Sequence, residues 1–387
     1  MDKKVLFVAT VAKKHICQFH LPYMKWLREH GYEVHVCAKN DFESDEAVDI
    51  PDCDKFYDIP FCRSPFSSKN ITAYKMLKEI IDRNKYAMIH CHTPVGAAAA
   101  RIAARKTRKK NGTVVLYTTH GFHFYKGAPK SSRIYYRAEK SLIRYTDGII
   151  TINREDHENA EKFCKNNSCK AFYIHGMGVD TKRIADTYVD KDKLKESLGI
   201  KKDAFTLLSV SEINQNKNVT TALKAFSKIK DRSNVYYLIC GTGGLLEECK
   251  ALAEQLGISD RVIFAGYRYD IFKIVHIADV FLFPSLREGL GVAAIEAMSA
   301  GVPVIGSDIR GVREYAVNMK NSILLEPNDV DGFAKAIEKL MGDDRLREEL
   351  GRNALLSVPP FDINNSIAAV TGIYRSYLED EKSVVKV

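Results

Sequence analysis

Patterns typical of buried strands and of helices alternate along the first half of the chain. The run VLFVAT at residues 5–10 is almost wholly apolar, as in a strand covered on both faces, and apolar residues then recur at helical spacing in Leu21, Met24 and Leu27. Gly31 ends this pattern, and YEVHVCA begins a second strand. The pattern continues with predicted strands at 87–92, 114–120 and 148–153 and predicted helices at 71–84, 95–109 and 130–145. Such alternation predicts a parallel sheet with helices on both faces.

A second series of the same kind follows the polar, charged stretch 186–204. Its predicted strands are at 205–211, 235–241, 262–266, 280–285 and 303–308, with helices at 219–230, 244–256, 270–277 and 292–300, and a last helix at 362–380. We therefore expect an α/β protein with two doubly wound, Rossmann-like domains in tandem. The expected divisions are an N-terminal domain at 1–185, a C-terminal domain at 186–361, and a segment at 362–387 whose helix crosses back to the N-terminal domain.

The composition is that of a folded protein with more than one domain. The 387 residues are 45% hydrophobic and 28% charged. Nine cysteines occur without a C-x-x-C pair, which indicates neither a disulfide framework nor a zinc ribbon. The first apolar stretch is far shorter than the roughly 20 residues of a membrane-spanning helix and is followed by no small-residue cleavage site. We therefore expect a protein of the reducing cytoplasm.

The formal net charge is +9, and the positive excess lies in the N-terminal half. Residues 1–185 contain 32 Lys and Arg against 20 Asp and Glu, whereas residues 186–387 contain 26 against 29. A one-sided positive field suggests an anionic partner, either a nucleic acid, a membrane surface or a phosphorylated substrate. The alternative is an ordinary scatter of charge between two domains.

Basic residues cluster on two predicted helices of this half and form candidate membrane-facing surfaces. The clusters are Arg101, Arg105, Lys106, Arg108, Lys109 and Lys110 on the first helix, and Arg133 and Arg137 on the second. Cationic helix faces of this kind bind anionic lipid headgroups at about 1 kcal/mol per basic residue. For either cluster alone, a solvated polar face is the alternative.

Chemically informative residues follow the strand predicted at 280–285. Ligands of open α/β sheets bind beyond the carboxyl ends of strands, and here LREGLG at 286–291 leads into a helix that carries Glu296. The glycines allow the backbone to approach a ligand, the helix N-terminus favours phosphate, and the carboxylates of Glu288 and Glu296 can accept hydroxyl hydrogen bonds. This combination suits a polyol joined to a diphosphate, although a lone glutamate is ordinarily a solvated helix residue.

Two further strand ends offer contacts to phosphate. CGTGG at 240–244 follows a strand and opens a helix, so Gly241 and Gly243 can expose backbone amides to phosphate oxygens, although the spacing departs from the fingerprint G-x-G-x-x-G. Lys217, in the loop EINQNKN after the strand at 205–211, can place an ammonium on a diphosphate. A single loop lysine is otherwise simply solvated.

These segments resemble family 4 of the retaining nucleotide-sugar glycosyltransferases, which have the two-domain GT-B fold. The resemblance rests on SVSEINQNKN, CGTG, FAGYRYDI and PSLREGLGVAAIEAMSAGVPVI within residues 205–330. TTHGFHFYKGAP at 118–129 is similar to bacterial enzymes of exopolysaccharide, capsule and lipopolysaccharide assembly. The resemblance implies two domains facing a central cleft, with the acceptor bound by 1–185 and the nucleotide sugar by 186–361.

The resemblance also implies roles for individual residues. Glu288 would hold hydroxyls of the donor sugar as a catalytic residue, Glu296 would hold the ribose, and Lys217 would bind the diphosphate. The other implied donor-binding residues are Gly241 and Gly243 in the phosphate-side loop, Gly289, Leu290 and Gly291 before the helix, and Tyr267 and Arg268 at the nucleobase. Glu212 stands where the family usually has a basic residue beside the lysine, and a carboxylate cannot neutralise a diphosphate.

Six histidines fall near predicted strand ends of the N-terminal domain, at positions 15, 20, 90, 92, 120 and 123. His120 matches the family's histidine near the reacting carbon, where an imidazole would hydrogen-bond the donor sugar or stabilise developing charge; the alternative is a histidine that satisfies backbone groups. His15, His20 and His123 are candidates for the acceptor side. A metal site would require several such side chains to converge, which spacing does not show. Neither a metal nor another cofactor is predicted.

Together with the resemblance, these observations predict a retaining glycosyltransferase. It would move a hexose or N-acetylhexosamine from a UDP-sugar to a hydroxyl of a polyprenyl-diphosphate-linked glycan in cell-surface polysaccharide assembly. A UDP-sugar 2-epimerase of the same fold is the alternative. No nucleic-acid partner is expected, because no nucleic-acid module is recognised and the paired glutamates would be unexplained. The expected location is the inner face of the cell membrane, through an anionic lipid surface.

Overall fold

The chain divides into two compact units, each with its own sheet. The computed structural model describes residues 3–43, 46–230 and 233–379. The first unit contains the described residues up to Gly178 and from Asn364 onward, and the second is Val179–Ile363. The expected boundary at residue 185 therefore falls inside the second unit. Residues 380–387 of the predicted terminal segment lie outside the described residues.

The first unit is built on a parallel sheet of seven strands. The strands are β1 (Lys4–Val11), β2 (Glu33–Lys39), β3 (Lys55–Asp58), β4 (Met88–His92), β5 (Val114–Thr119), β6 (Gly148–Thr151) and β7 (Lys170–Tyr173). A π-helical segment, Ala12–Cys17, precedes the helices α1 (Leu21–Glu29), α2 (Lys69–Arg83), α3 (Pro94–Asn111), α4 (Arg133–Leu142) and α5 (Arg154–Cys164). The spatial order is β3-β2-β1-β4-β5-β6-β7, so it reverses between β1 and β4.

The second unit repeats this plan with six parallel strands. They are β8 (Phe205–Val210), β9 (Val235–Cys240), β10 (Val262–Phe264), β11 (Val280–Phe283), β12 (Val304–Ser307) and β13 (Ser322–Leu325). The helices are α6 (Thr181–Asp186), α7 (Lys191–Ser197), α8 (Val219–Lys228), α9 (Leu246–Gln255), α10 (Ile271–Ile274), α11 (Val292–Ser299), α12 (Val330–Gly342) and α13 (Asp344–Ser357). The order β10-β9-β8-β11-β12-β13 reverses between β8 and β11.

The last helix, α14 (Ile363–Leu378), belongs to the first unit although it follows the second along the chain. The Tyr374 hydroxyl lies 2.7 Å from Nδ1 of His90 on β4. The Tyr377 hydroxyl donates to the carbonyl oxygen of Asp147 at 2.8 Å. These contacts attach α14 to a strand and a loop that lie more than 200 residues earlier in the sequence.

The predicted class, two doubly wound parallel sheets, is confirmed. The structure adds the edge strands β3, β7 and β13 and the helices α5, α6, α12 and α13, which the sequence pattern does not predict. β3 and β7 are edge strands of four residues with no fully buried side chain, so they lack the apolar runs that mark the central strands. The stretch 186–204, predicted as a connection, contains α7. None of the helices in the described part of the chain is both long and apolar enough to cross a membrane.

Arg101 was predicted to face a membrane, and that prediction is wrong. Its side chain is wholly buried, with one terminal nitrogen 2.8 Å from Oε2 of Glu139. Its Nε donates to the carbonyl oxygen of Ala97 at 3.1 Å, and the guanidinium lies 4.2 Å from the centre of the Tyr117 ring. The small residues around it on α3 bring this face of the helix against the sheet, so Arg101 serves the interior.

Arg108 also differs from the other members of its cluster. Its Nε donates to both carboxylate oxygens of Asp147, at 3.0 and 2.9 Å, so its charge is compensated within the fold. The remaining predicted members are exposed: Arg105, Lys106, Lys109 and Lys110 on α3, and Arg133 and Arg137 on α4. The cationic surface is therefore smaller than the sequence suggests.

Candidate functional site

The loops that carry the predicted donor-binding residues lie at one edge of the second sheet. Lys217 follows β8, Gly241 and Gly243 follow β9, Tyr267 and Arg268 follow β10, and the segment 288–291 follows β11. These strands are neighbours in the order β10-β9-β8-β11, and their carboxyl ends share an edge because the sheet is parallel. The order reverses between β8 and β11, which is where doubly wound sheets bind ligands.

Lys217 and Glu288 form an ion pair across this reversal. Nζ of Lys217 lies 2.6 Å from Oε1 of Glu288, and the two side chains are 24% and 11% exposed. The ammonium also lies 5.6 Å from the centre of the Phe283 ring, at the end of β11. A cation and a carboxylate are thus held side by side in a half-buried position, where their charges are screened less than on an open surface.

Gly291 shapes the start of α11. Its φ is +92°, and a Cβ there would stand 2.8 Å from Cε1 of Phe283 and 2.9 Å from the Tyr315 hydroxyl. That hydroxyl donates to the carbonyl oxygen of Gly291 at 3.2 Å. Only glycine fits both the dihedral angle and the space. The sharp entry leaves the N-terminal amides of α11, and the positive end of its dipole, at the edge beside Glu288.

Gly241 and Gly243 allow two loops to pack backbone against backbone. A Cβ at Gly241 would stand 1.8 Å from the carbonyl oxygen of Ser211, and one at Gly243 would stand 2.3 Å from that of Ile213. The Ile213 amide in turn donates to the carbonyl oxygen of Thr242 at 2.9 Å. These glycines therefore fix the position of the loop that leads from β8 to Lys217, a packing role that the sequence motif does not reveal.

Glu296 lies on α11, and burial raises the pKa of its carboxyl group to about 7. No compensating cation contributes to this shift. A carboxyl group that loses its proton near neutral pH can accept hydroxyl hydrogen bonds with its full charge only above that range.

Tyr267 and Arg268 occupy the loop after β10, but they are held differently. The Arg268 guanidinium is bound by the carboxylate of Asp270, with N–O distances of 2.9 and 2.7 Å. Tyr267 is 67% exposed, and its ring meets that of Tyr269 edge-on at 4.9 Å. The aromatic face is therefore open to a ligand, whereas the arginine charge is already engaged.

Asn218 is a site-forming residue that the sequence reading missed. It has a φ of +54°, and the Nδ2 atom of its side chain donates to the carbonyl oxygens of Pro284 at 3.1 Å and Pro327 at 2.9 Å. It thereby ties the loop of Lys217 to the end of β11. The sequence does contain a signal for this role. Asn218 comes directly before a predicted helix, and asparagine is one of the few residues that tolerate a left-handed backbone conformation. Glu212, in the same loop, is exposed.

In the first unit the structure brings together three of the four predicted histidines and leaves one apart. His15, His20 and His120 form a cluster with His92, for which the sequence predicts a place near a strand end but no role in the site. Burial lowers the pKa of His120 to about 4, so its ring is neutral at physiological pH. His123 lies elsewhere, with its ring 5.1 Å from that of Tyr135.

Comparison with known proteins gives two family matches that together span most of the chain. Residues 4–153 match the model described as glycosyl transferase 4-like, and residues 190–356 match the model of glycosyl transferases group 1. The putative glycosyltransferase EpsD of Bacillus subtilis strain 168 is 39% identical over 99% of this chain and 100% of its own length.

A second relative and a solved structure extend the comparison. The Escherichia coli UDP-Gal:alpha-D-GlcNAc-diphosphoundecaprenol alpha-1,3-galactosyltransferase is 29% identical over 77% of this chain and 77% of its own length. The structure of Anabaena HepE with UDP and glucose superposes with a TM-score of 0.77 at 19% identity, over 96% of this chain and 99% of that one, and shows the shared fold. These comparisons give no support to the epimerase alternative. The chain belongs to the group 1, family-4-like glycosyltransferases of GT-B fold, and its relatives include glycosyltransferases of capsular polysaccharide and of lipopolysaccharide core biosynthesis.

Proposed function

We propose that this protein transfers a hexose or N-acetylhexosamine from a UDP-sugar to a hydroxyl group of a polyprenyl-diphosphate-linked glycan, with retention of anomeric configuration. The observation that carries the proposal is the Lys217–Glu288 pair at the strand-order reversal, beside the N-terminus of α11. A diphosphate needs cations and amide donors, and a sugar needs hydroxyl acceptors. Both kinds of group meet at this edge. The HepE complex with UDP supports a uridine nucleotide as part of the donor. The diphosphoundecaprenol-linked acceptor of the E. coli relative supports a lipid-linked acceptor.

In the proposed reaction, the diphosphate leaves from the anomeric carbon while the acceptor oxygen approaches from the same face. The bond between that carbon and the phosphate oxygen breaks, the bond to the acceptor oxygen forms, and the acceptor's proton moves to the departing phosphate oxygen. Lys217 and the amides of Gly289, Leu290 and Gly291 stabilise the negative charge that grows on the diphosphate. Glu288 turns from Lys217 to the hydroxyls of the donor sugar.

Nucleotide specificity provides the direct test. UDP and one UDP-sugar should raise the melting temperature, because a ligand that binds only the folded protein stabilises it. GDP and ADP should raise it much less at equal concentration. A thermal-shift titration with these nucleotides and a panel of UDP-sugars measures the difference. Equal shifts with all three nucleotides, or no shift with any, would contradict the proposed donor.

The pH dependence of UDP binding should report on Glu296. With a pKa of about 7, its carboxyl group is mostly protonated at pH 6 and mostly ionised at pH 8. Hydrogen bonds to a charged acceptor are stronger by about 1 kcal/mol, so the affinity for UDP should rise several-fold across this range. Calorimetric titrations at pH 6, 7 and 8 with the wild type and Glu296→Gln measure the effect. The ionisation of UDP itself affects the wild type and the variant equally, so the difference between their pH profiles reports on Glu296. Identical pH profiles for the two proteins would rule out the ribose contact.

We also propose that α4 attaches the first unit to an anionic membrane surface. Its exposed residues include Arg133, Arg137 and Lys140, spaced by four and three along the helix and so on one face, together with Ile134, which is 57% exposed. An amphipathic face of this kind places cations at the headgroups and an apolar side chain between them.

Replacing Arg133, Arg137 and Lys140 with serine should reduce binding to vesicles that contain phosphatidylglycerol by about two orders of magnitude, at about 1 kcal/mol per basic residue. The matched control replaces Lys201, Lys202 and Lys224, which are exposed on the second unit, and removes the same charge. Co-sedimentation at a fixed salt concentration compares the two. Equal losses in both triple variants would mean that net charge, rather than α4, determines binding.

A further inference from the structure

Four histidine side chains converge at the carboxyl ends of β1, β4 and β5, where the strand order of the first unit reverses. His15 lies in the π-helical segment, His20 precedes α1, His92 ends β4 and His120 follows β5. Each histidine offers one ring nitrogen, and these four nitrogens all lie within 4.8 Å of one another. The rings of His20 and His92 stack with centroids 3.7 Å apart, and those of His15 and His120 meet at 4.6 Å.

The ring nitrogens of this cluster are buried without partners. Within the described part of the chain, His15 Nε2, His120 Nε2 and both nitrogens of His20 and of His92 have no hydrogen bond. Buried polar atoms are nearly always paired, and several orphaned atoms at one point call for a ligand. The neighbouring His90 shows the ordinary arrangement, since its Nδ1 and Nε2 each lie 2.7 Å from a hydroxyl oxygen, of Tyr374 and of Thr118.

The chemistry of the cluster suits a transition metal. Burial lowers the pKa of all four imidazoles, so each ring is neutral and keeps the lone pair that a metal requires. Imidazole is a preferred ligand of zinc, copper, nickel and iron. A tetrahedral zinc site places its nitrogens at about 2.0–2.1 Å from the ion, and therefore about 3.4 Å from one another. Closing the cluster to that size requires side-chain shifts on the order of an ångström.

We propose that His15, His20, His92 and His120 bind a divalent transition-metal ion, with Zn²⁺ as the best fit to four imidazoles. The inference goes beyond the transfer reaction, and it departs from the expectation that no metal is bound. Two ligands come from the segment between β1 and α1, and the others come from the ends of two neighbouring strands. The ion would therefore fasten that segment to the sheet. Ligation through the buried Nε2 of His120 would leave Nδ1 with its hydrogen for a substrate oxygen.

A metal titration tests the proposal without reference to activity. The full chain, freed of any affinity tag and stripped with EDTA, is titrated with Co²⁺, whose tetrahedral complexes absorb visible light far more strongly than octahedral ones. One equivalent should produce this absorption, and Zn²⁺ should abolish it by displacement. Four neutral imidazoles do not compensate the charge of a divalent ion, so the ion can be lost during purification. A titration is therefore a more decisive test than the metal content of the purified protein. Failure to bind either ion at a moderate excess would overturn the proposal.

Single variants locate the ion. His20→Gln and His92→Gln should each weaken metal binding by about 100-fold or more, because a ligand is lost. His90→Gln is the matched control: it removes a buried histidine of the same strand as His92 and should retain the metal. Circular dichroism verifies that each variant is folded. If His20→Gln and His92→Gln do not fold, hydrogen exchange of the wild type decides, since Zn²⁺ should slow exchange in Ala12–His20. Unchanged exchange, or equal affinity in all variants, would place the metal elsewhere and contradict the proposal.

Discussion

Glu288→Gln should lower the rate of sugar transfer by about 10²- to 10³-fold while leaving the protein folded. Glutamine preserves the shape of the side chain but removes its negative charge, so the hydroxyls of the donor sugar lose their strongest acceptor. Lys217 loses its partner at 2.6 Å and remains available to the diphosphate. The affinity for UDP should therefore stay within a few-fold of the wild type. The additional affinity that the sugar gives to the UDP-sugar over UDP should disappear.

The measurement is UDP release from whichever UDP-sugar stabilises the wild type most, with water as the acceptor, alongside calorimetry with UDP. Glu247→Gln is the matched control, because Glu247 also accepts from a lysine, Lys250, at 2.9 Å, but on the open surface. The control should retain wild-type activity. Full activity in Glu288→Gln would remove this residue from the reaction, and loss of UDP binding would show that it serves the nucleotide rather than the sugar.

Arg101→Met should lower the free energy of unfolding by about 3–5 kcal/mol, the range found when one partner of a buried ion pair is removed. The methionine would fill part of the space, but Glu139 would keep a carboxylate in a nearly buried position without its cation. The double variant Arg101→Met/Glu139→Leu should recover much of the loss, because two apolar side chains replace the pair.

Urea denaturation of the wild type and both variants measures these differences. Arg105→Met is the control, since Arg105 lies one turn along the same helix with its side chain exposed, and it should change the unfolding free energy by about 0.5 kcal/mol or less. Equal effects at positions 101 and 105 would contradict the structural role of Arg101. A double variant no more stable than the single one would show that packing, rather than charge, dominates.

The central architecture could be predicted from the sequence because its signals are local. Strands such as β9 and β11 are buried along their whole length and appear as uninterrupted apolar runs. The edge strands β3 and β7 carry no such run, because one side of each is not covered by another strand. The donor-site segments were also recognisable, since Lys217, Glu288 and Glu296 stand in motifs that specify a backbone conformation as well as a side chain.

Contacts between individual side chains that lie far apart in the sequence could not be predicted. The pattern of basic residues on α3 gave Arg101 and Arg105 the same surface role, whereas the packing of α3 against the sheet buries Arg101 beside Glu139 of another helix. The convergence of His15 and His20 with His92 depends on the order in which strands pair, because β4 lies beside β1 despite the distance between them in sequence. Charge and spacing identify candidates, whereas topology decides which of them meet.

The passage of the chain between its two units has a consequence for its synthesis. The polypeptide leaves the first unit after Gly178 and returns at Asn364, where α14 supplies Tyr374 and Tyr377 to that unit. On the ribosome, the second unit is contiguous and emerges complete before α14 does. The unit that is begun first must therefore wait, with the binding surface for α14 uncovered, until the second has been made. The order in which the units are completed is the reverse of the order in which they are begun, and an exposed apolar surface during that interval is where chaperones act.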